Sequence, residues 1–568
     1  MATPEAEIRW MAAADAARRG RGASGWRWLS VAIAAVILAP ILITILSWLQ
    51  PDQAIWEHLS QTVLARLIGN TIFLAAGVAA LVLLLGVSLA WLTAVCEFPG
   101  RRLFDWALML PLAVPAYVLA FTFIGILDYS GPVQGSLRDV FGSSAWFPPI
   151  RSPGGVVLVM SLVLYPYVYM LARTAFMAQG PTLMEAARIA GMGPWRAFFR
   201  VALPMARPAI AAGTALALME ALADFGAVAV FNYDTFTTAI YKAWYGFFSI
   251  EVAAQLASLL LLFVAVALFT ERYTRGRARY FQTVGSGHRI VLRGGRAWLA
   301  TGFAGLVLAV AFLIPLFQLG WWVAWHSIGD LDARYLNLLG RTVGLGLMAA
   351  FITVSVALVL AYAKRVQPDW LTRRAVAASN LGYALPGSVL AVSVMLVFTW
   401  LDNAMVSLFG LGGGGWLAGS LVALLLAYSI RFMAVAFSSV DAAVEQIRPT
   451  IPEAARCLGA SQTRLLRDVY LPMLRPGLLA GALLVCVDVM KEMPATLLMR
   501  PFGWDTLAVR IFELTSEGEW ERAALPAVTL VLVGLLPVIF LVRRSARRPL
   551  RASRAQPLTR PGGDVRIA

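Results

Sequence analysis

The chain has 568 residues, 60% of them hydrophobic and 14% charged, with a mean hydropathy of +0.74. Soluble globular chains run near ~25% charged, so this composition excludes a soluble enzyme or binding module and indicates a polytopic membrane protein. The net charge of +16 is spread over loops between apolar runs, where it reports membrane orientation rather than nucleic-acid binding.

Apolar runs of ~20 residues are long enough to cross the ~30 Å hydrocarbon layer as helices. An arm carrying Arg9, Arg18, Arg19, Arg21 and Arg27 comes first. Six spans are then predicted near residues 28–49, 70–95, 104–127, 154–176, 209–231 and 252–270. A linker follows with Arg272, Arg275, Arg277, Arg279, Arg289, Arg293 and Arg296. Six more spans are predicted near 297–323, 342–363, 375–401, 416–440, 477–499 and 523–542, and the tail adds Arg543, Arg544, Arg547, Arg548 and Arg551. The positive-inside rule places arm, linker and tail in the cytoplasm, so both termini are expected there. The first span is too long for a signal-peptide core and has no small-residue cleavage site, so it is expected to be retained. The expected fold class is an all-α membrane protein of twelve helices.

Two segments repeat. Glu185 opens EAARIAGMGPWRAFFRVALPMARP and Glu453 opens EAARCLGASQTRLLRDVYLPMLRP, an offset of 268. Asn70-Thr71 matches Arg341-Thr342, Pro115-Ala116-Tyr117 matches Pro386-Gly387-Ser388, and Asp234-Thr235 matches Asp505-Thr506, all offset by 271. Both copies of the Glu-Ala-Ala loop fall between the fourth and fifth spans of their half. The halves therefore share one orientation, as a parallel repeat does, and a pathway is expected at their interface. The expected divisions are an arm (1–27), a span and outer loop (28–65), a first repeat (66–270), the linker (271–296), a second span and outer loop (297–335), a second repeat (336–542) and a basic tail (543–568).

Each loop reads as two short helices with a turn at Gly191 or Gly459, since glycine accepts a positive φ. Pro204 and Pro208 are expected to open the next span, because proline suits a helix's first turn. Within the fifth and eleventh spans sit Glu220 and Asp224, and 268 further on Asp488 and Glu492. The i,i+4 spacing puts each pair on one helix face. A charge at mid-bilayer costs ~2.5–3.5 kcal/mol on insertion scales, so these four carboxylates either line a cation-favouring pathway or make internal pairs, with Lys491 and Arg431 as candidates. Pro494 is expected to break the helix beyond Glu492.

Other features point to no chemistry. Tyr165, Tyr167 and Tyr169 read as an interface belt. His58, His288 and His326 fall on different loops and form no ligand cluster. Cys96, Cys457 and Cys486 are odd in number and lack metal spacing; they read as buried small hydrophobes. Residues 412–415 are four glycines without a following lysine, a turn and not a phosphate loop. A phosphate-cradling loop needs Gly-Lys, and no Gly-Lys pair occurs in the chain.

The loop pattern resembles that of binding-protein-dependent ABC importer permeases. The resemblance implies that Glu185, Ala186, Ala187, Gly191, Leu203 and Pro204 form one ATPase-coupling loop, and Glu453, Ala454, Ala455, Gly459, Leu471 and Pro472 the other. It implies two copies of a cytoplasmic ATPase carrying the ATP and magnesium, no cofactor or metal in this chain, and a periplasmic binding protein that delivers the cargo. The outer segments DYSGPVQ (128–134), DTFTTAIYKAWYG (234–246) and DVMKEMPATLLMRPFGWDT (488–506) are similar to those of fused ferric-iron permeases, and the likeness runs from about 66 to 542. The resemblance thus implies an inner-membrane permease for ferric iron, surrounded by lipid and with no nucleic-acid partner. Thiamine, a polyamine or another small solute stays open as cargo. A secondary transporter using Glu220, Asp224, Asp488 and Glu492 as a proton or cation relay is the alternative of another class.

Overall fold

The computed structural model describes residues 4–49, 53–179, 187, 189–275, 289–410 and 415–546. Glu185, Ala186, Arg188, Gly412 and the tail beyond 546 lie outside the described residues. In hydrocarbon every backbone N–H and C=O must find its partner inside the protein, which drives each apolar run into a helix. Twelve helices follow the expected runs. In the first half they are α1 (Pro4–Leu46), α2 (Leu64–Val95), α3 (Ala116–Leu127), α4 (Pro153–Ala178), α5 (Leu203–Ala223) and α6 (Ile250–Arg275). In the second they are α7 (Gly295–Asp330), α8 (Ala333–Val366), α9 (Gly387–Phe409), α10 (Leu421–Glu445), α11 (Leu471–Lys491) and α12 (Ala524–Ala546). Among the described residues eleven segments are long and apolar enough to span a membrane; α12 contributes the shorter apolar stretch Ala524–Ile539.

Four expected spans are not single helices: 209–231 breaks after Ala223 and 477–499 after Lys491, and two more divide nearer their start. The run at 104–127 divides into Arg101–Ala107, a tight turn at Leu110–Ala113, and α3. The run at 375–401 divides the same way into Trp370–Ser379, Leu381–Ala384 and α9. Proline explains both breaks. Pro115 and Pro386 lack an N–H, and each drives the residue before it out of helical conformation. Val114 and Leu385 accordingly have ψ of 122° and 124°.

Each repeat is built on three long helices, α2/α4/α5 and α8/α10/α11, packed on one another. Small residues permit the close approach that drives helix association in lipid. A Cβ at Gly213 would lie 2.8 Å from the Val168 backbone, and one at Gly86 would meet the same residue.

The leading helices are exchanged between halves. α1 packs against Trp370–Ser379 and α9 of the second repeat. Arg27 Nε donates to Asp369 Oδ2 at 2.8 Å, and Trp26 meets the Tyr362 ring edge-on at 5.0 Å. Conversely, α7 packs on the first repeat: Trp322 stacks on Phe121 and covers Gly125. A side chain at Gly125 would begin 2.5 Å from the Trp322 ring. Gly125→Val is therefore expected to cost about 1–3 kcal/mol by overpacking, read as a lower unfolding temperature in detergent. On the loop side, Cys96-Glu97 pairs in parallel with Ile290-Val291, and Glu97 joins Arg101 (3.0 Å) and Arg289 (3.5 Å). The end of the linker is thus fastened to the first repeat.

Candidate functional sites: a shared cavity and two matched loops

A cavity of about 210 Å³ lies between the repeats and is lined by all four intramembrane carboxylates, Glu220, Asp224, Asp488 and Glu492. Their backbone setting differs from the i,i+4 expectation. α5 ends at Ala223 and α11 at Lys491, so Asp224 and Glu492 stand in extended conformation at the breaks (ψ 128° and 120°). Each caps the short helix that follows, because a carboxylate there accepts otherwise orphaned N–H groups. Asp224 Oδ1 accepts from Ala227 N at 2.7 Å. Glu492 accepts from Ala495 N (3.0 Å), Thr496 N (3.1 Å) and Thr496 Oγ1 (3.0 Å). Pro494 sits in the first turn of its helix, beyond the break.

Two cations share the cavity, Arg431 and Lys491, both from the second repeat. Arg431 Nη1 is 3.9 Å from Glu492 Oε1 and donates to Leu385 O at 3.5 Å. Lys491 donates to Leu112 O at 3.4 Å. Tyr383 Oη of the second repeat donates to Glu220 Oε1 of the first at 3.2 Å. Among the described residues Asp488 makes no hydrogen bond or ion pair, and no three His, Cys, Asp or Glu side chains stand close enough to hold a metal ion. The wall thus carries four acidic and two basic side chains.

The expected tyrosine belt is not observed. Tyr165 and Tyr169 are fully buried and hydrogen-bonded to backbone, while Tyr167 lines the cavity. The belt reading took all three as interfacial, but a helix turns successive odd positions to different sides. Tyr117 and Tyr383 also line the cavity. Tyr117 had a signal in the sequence, its place in the repeated proline motif; Tyr383 had none.

The loops match in backbone detail. Gly191 and Gly459 have φ of +74° and +83°. Met192 N donates to Ala187 O and Ala460 N to Ala455 O, both at 3.0 Å, the bond that closes a helix through a left-handed glycine. The spacing from Glu-Ala-Ala to Gly is thus the length of one capped turn. The second loop contains the helix Thr450–Cys457, with Glu453 and Ala454 exposed on it. Ile189 and Leu458 lie at the tips, 89% and 88% exposed. Gly191→Val and Gly459→Val are each expected to cost about 1–2 kcal/mol of local stability, visible as faster proteolysis within the loop.

Pro204 and Pro472 stand in the first turn of α5 and α11, while Pro208 lies inside α5, but neither helix starts there from a loop. Helix runs continuously from Trp195 to Ala223 and from Leu465 to Lys491. Wide turns at Phe198–Ala202 and Leu465–Tyr470 precede the prolines. An i→i+5 turn absorbs the hydrogen bond that proline cannot make.

The family model described as "Binding-protein-dependent transport system inner membrane component" matches residues 82–279 and 353–551. The chain is similar to the Fe(3+)-transport system permease protein FbpB 2 of Haemophilus influenzae, 27% identical over 502 residues, covering 86% of this chain and 92% of that protein. The molybdenum transport system permease protein ModB of Escherichia coli is 35% identical over 162 residues, 28% of this chain and 69% of its own. A crystal structure of a bacterial alginate ABC transporter, in complex with alginate pentasaccharide-bound periplasmic protein, aligns with 44% of this chain and 96% of its own at a TM-score of 0.34 and 15% identity, a likeness too slight to argue from. With the family pattern present in both repeats, the chain belongs to the binding-protein-dependent transport system inner membrane components.

Proposed function

We propose that the chain is a two-repeat permease of an ATP-driven importer, with ferric iron as its cargo. The observation that carries the importer reading is the pair of matched loops, each with a capped turn and an exposed apolar tip. An apolar side chain held in the open by a fixed backbone suits a partner surface. Two such loops call for two ATPase subunits on the cytoplasmic face, with ATP and magnesium bound there and not in this chain. Both termini lie on that same face. A periplasmic binding protein would deliver the cargo to the opposite side.

The cargo reading rests on the cavity and on the name of the full-length Haemophilus relative. Hard cations prefer oxygen ligands, and the cavity offers four carboxylates against two basic side chains. An anion 4 Å from one carboxylate would be repelled by about 4 kcal/mol at an effective dielectric of 20. Thiamine or a polyamine would satisfy the same wall, so cargo identity needs its own assay. ATP binding would draw the two ATPases together, shift both loops, and switch the cavity from outward to inward access.

Purification of the tagged chain in mild detergent tests this directly. Recovery of an ATPase at two copies per chain, followed by ATP-dependent uptake of Fe(III) in preference to thiamine, is the expected result. The carboxylate-lined cavity also favours one rival, a cation- or proton-coupled secondary transporter. That rival takes over if no ATPase is recovered and a pH gradient alone drives uptake in liposomes.

A further inference from the structure

Helix α4 carries an arrangement that neither the duplication nor the cavity accounts for. Tyr165, Tyr169 and Arg173 stand at i, i+4 and i+8, along one helix face. Tyr165 Oη donates to Leu108 O and Tyr169 Oη to Asp105 O, both at 3.0 Å. Arg173 Nε and Nη2 donate to the two carboxylate oxygens of Asp105, both at 2.6 Å. This fork is the strong, directional form of an ion pair. All three grips fall on residues 105–108. The chain then turns through Leu110–Ala113 and supplies Leu112, Val114, Pro115, Ala116 and Tyr117 to the cavity wall. In the sequence α4 is followed by the first Glu-Ala-Ala loop.

The second repeat lacks this device. The residues 268 further on are Met433, Phe437 and Asp441. Asp441 pairs instead with Lys364 of α8 at 2.6 Å. A phenylalanine would fill the volume of either tyrosine. A buried hydroxyl carries a desolvation cost unless bonded, so two such hydroxyls bonded to one segment fix that segment's position relative to α4.

We propose that Tyr165, Tyr169 and Arg173 form a strap that makes the 105–117 segment travel with α4, so that displacement of the first loop reaches the cavity wall directly. None of the three lines the cavity; they are positioning residues. The second loop acts by another route, through α11, which ends at the cavity residue Lys491. The inference rests on the reading of the two loops as ATPase-docking elements.

The test uses the full chain with its ATPase in lipid nanodiscs, with Cys96, Cys457 and Cys486 replaced by serine. Spin labels are placed by Trp106→Cys and Ser438→Cys, both exposed positions. The label distance is measured without nucleotide and with ATP plus vanadate. The strap predicts that Tyr165→Phe/Tyr169→Phe/Arg173→Met abolishes the nucleotide-dependent shift while ATP hydrolysis continues. ATP consumed per cargo rises about 2- to 30-fold, the range expected for coupling energies along such a path. The milder Tyr165→Phe/Tyr169→Phe variant gives an intermediate shift, and Arg173→Lys keeps most of it. A full shift in the triple variant overturns the strap. So does joint loss of shift, hydrolysis and thermal stability in both the double and triple variants, which marks a purely structural role. A wild-type chain that binds no ATPase sinks the functional reading, and the strap with it. A coupled wild type with unaltered variants sinks the strap alone.

Discussion

Glu185→Ala combined with Glu453→Ala is expected to reduce ATP-driven uptake to background while the amount of folded chain in the membrane stays unchanged. The argument is local. Glu453 is exposed in the first turn of Thr450–Cys457 and lines a groove with Lys364, Arg365 and Arg456. No core packing depends on it. Glu185 stands six residues before Gly191 in the sequence, as Glu453 does before Gly459. Truncating one partner of a hydrogen-bonded charge pair at an interface costs roughly 2–5 kcal/mol, or roughly 30- to 5,000-fold in affinity for each loop. With both loops weakened, two-point attachment should fail and the ATPase should be lost on purification. Intact co-purification and normal uptake in the double variant would falsify the docking role.

Glu492→Ala is expected to act on the fold itself. Glu492 is almost fully buried, caps the helix Pro494–Met499 through three hydrogen bonds and stands beside Arg431. Removing one member of a buried pair leaves the other uncompensated, at a cost of about 3–5 kcal/mol. The unfolding temperature in detergent should fall steeply, and Arg431→Met in the same chain should restore part of it. Asp488→Asn is the informative contrast. Asp488 faces the same cavity without a hydrogen bond or ion pair among the described residues. Its neutralisation should leave stability near wild type and lower cation uptake. Equal destabilisation by both substitutions would show that the four carboxylates are structural alike.

Much of this was legible because two signals are periodic or duplicated. Apolar runs of span length gave the helices, and the 268-residue offset paired Glu220 with Asp488 and Asp224 with Glu492 before any coordinates. The positive φ at Gly191 and Gly459 follows from glycine chemistry at a fixed spacing. Other features were hidden for physical reasons. Hydropathy does not register that Pro115 and Pro386 divide an apolar run, because the pieces on either side stay apolar. It also cannot tell a buried tyrosine from an interfacial one. Tyr165 and Tyr169 depend on backbone carbonyls some 57 and 64 residues earlier, a relation no window of sequence contains. The exchange of α1 and α7 is invisible for the same reason, since an apolar helix face does not specify which neighbour covers it.

That exchange sets a timetable for assembly. α1 enters the membrane when its partners, Trp370–Ser379 and α9, are still more than three hundred residues from being made. At ~5–20 residues per second of synthesis, the wait is on the order of tens of seconds. Throughout it Arg27 and Thr44 have no Asp369 or Ser393 to meet. The first repeat likewise waits for α7 to cover Gly125. Neither half can be finished before the other has begun, so a ribosome that stops at the linker leaves an orphan with two unmatched seams, a natural substrate for membrane quality control.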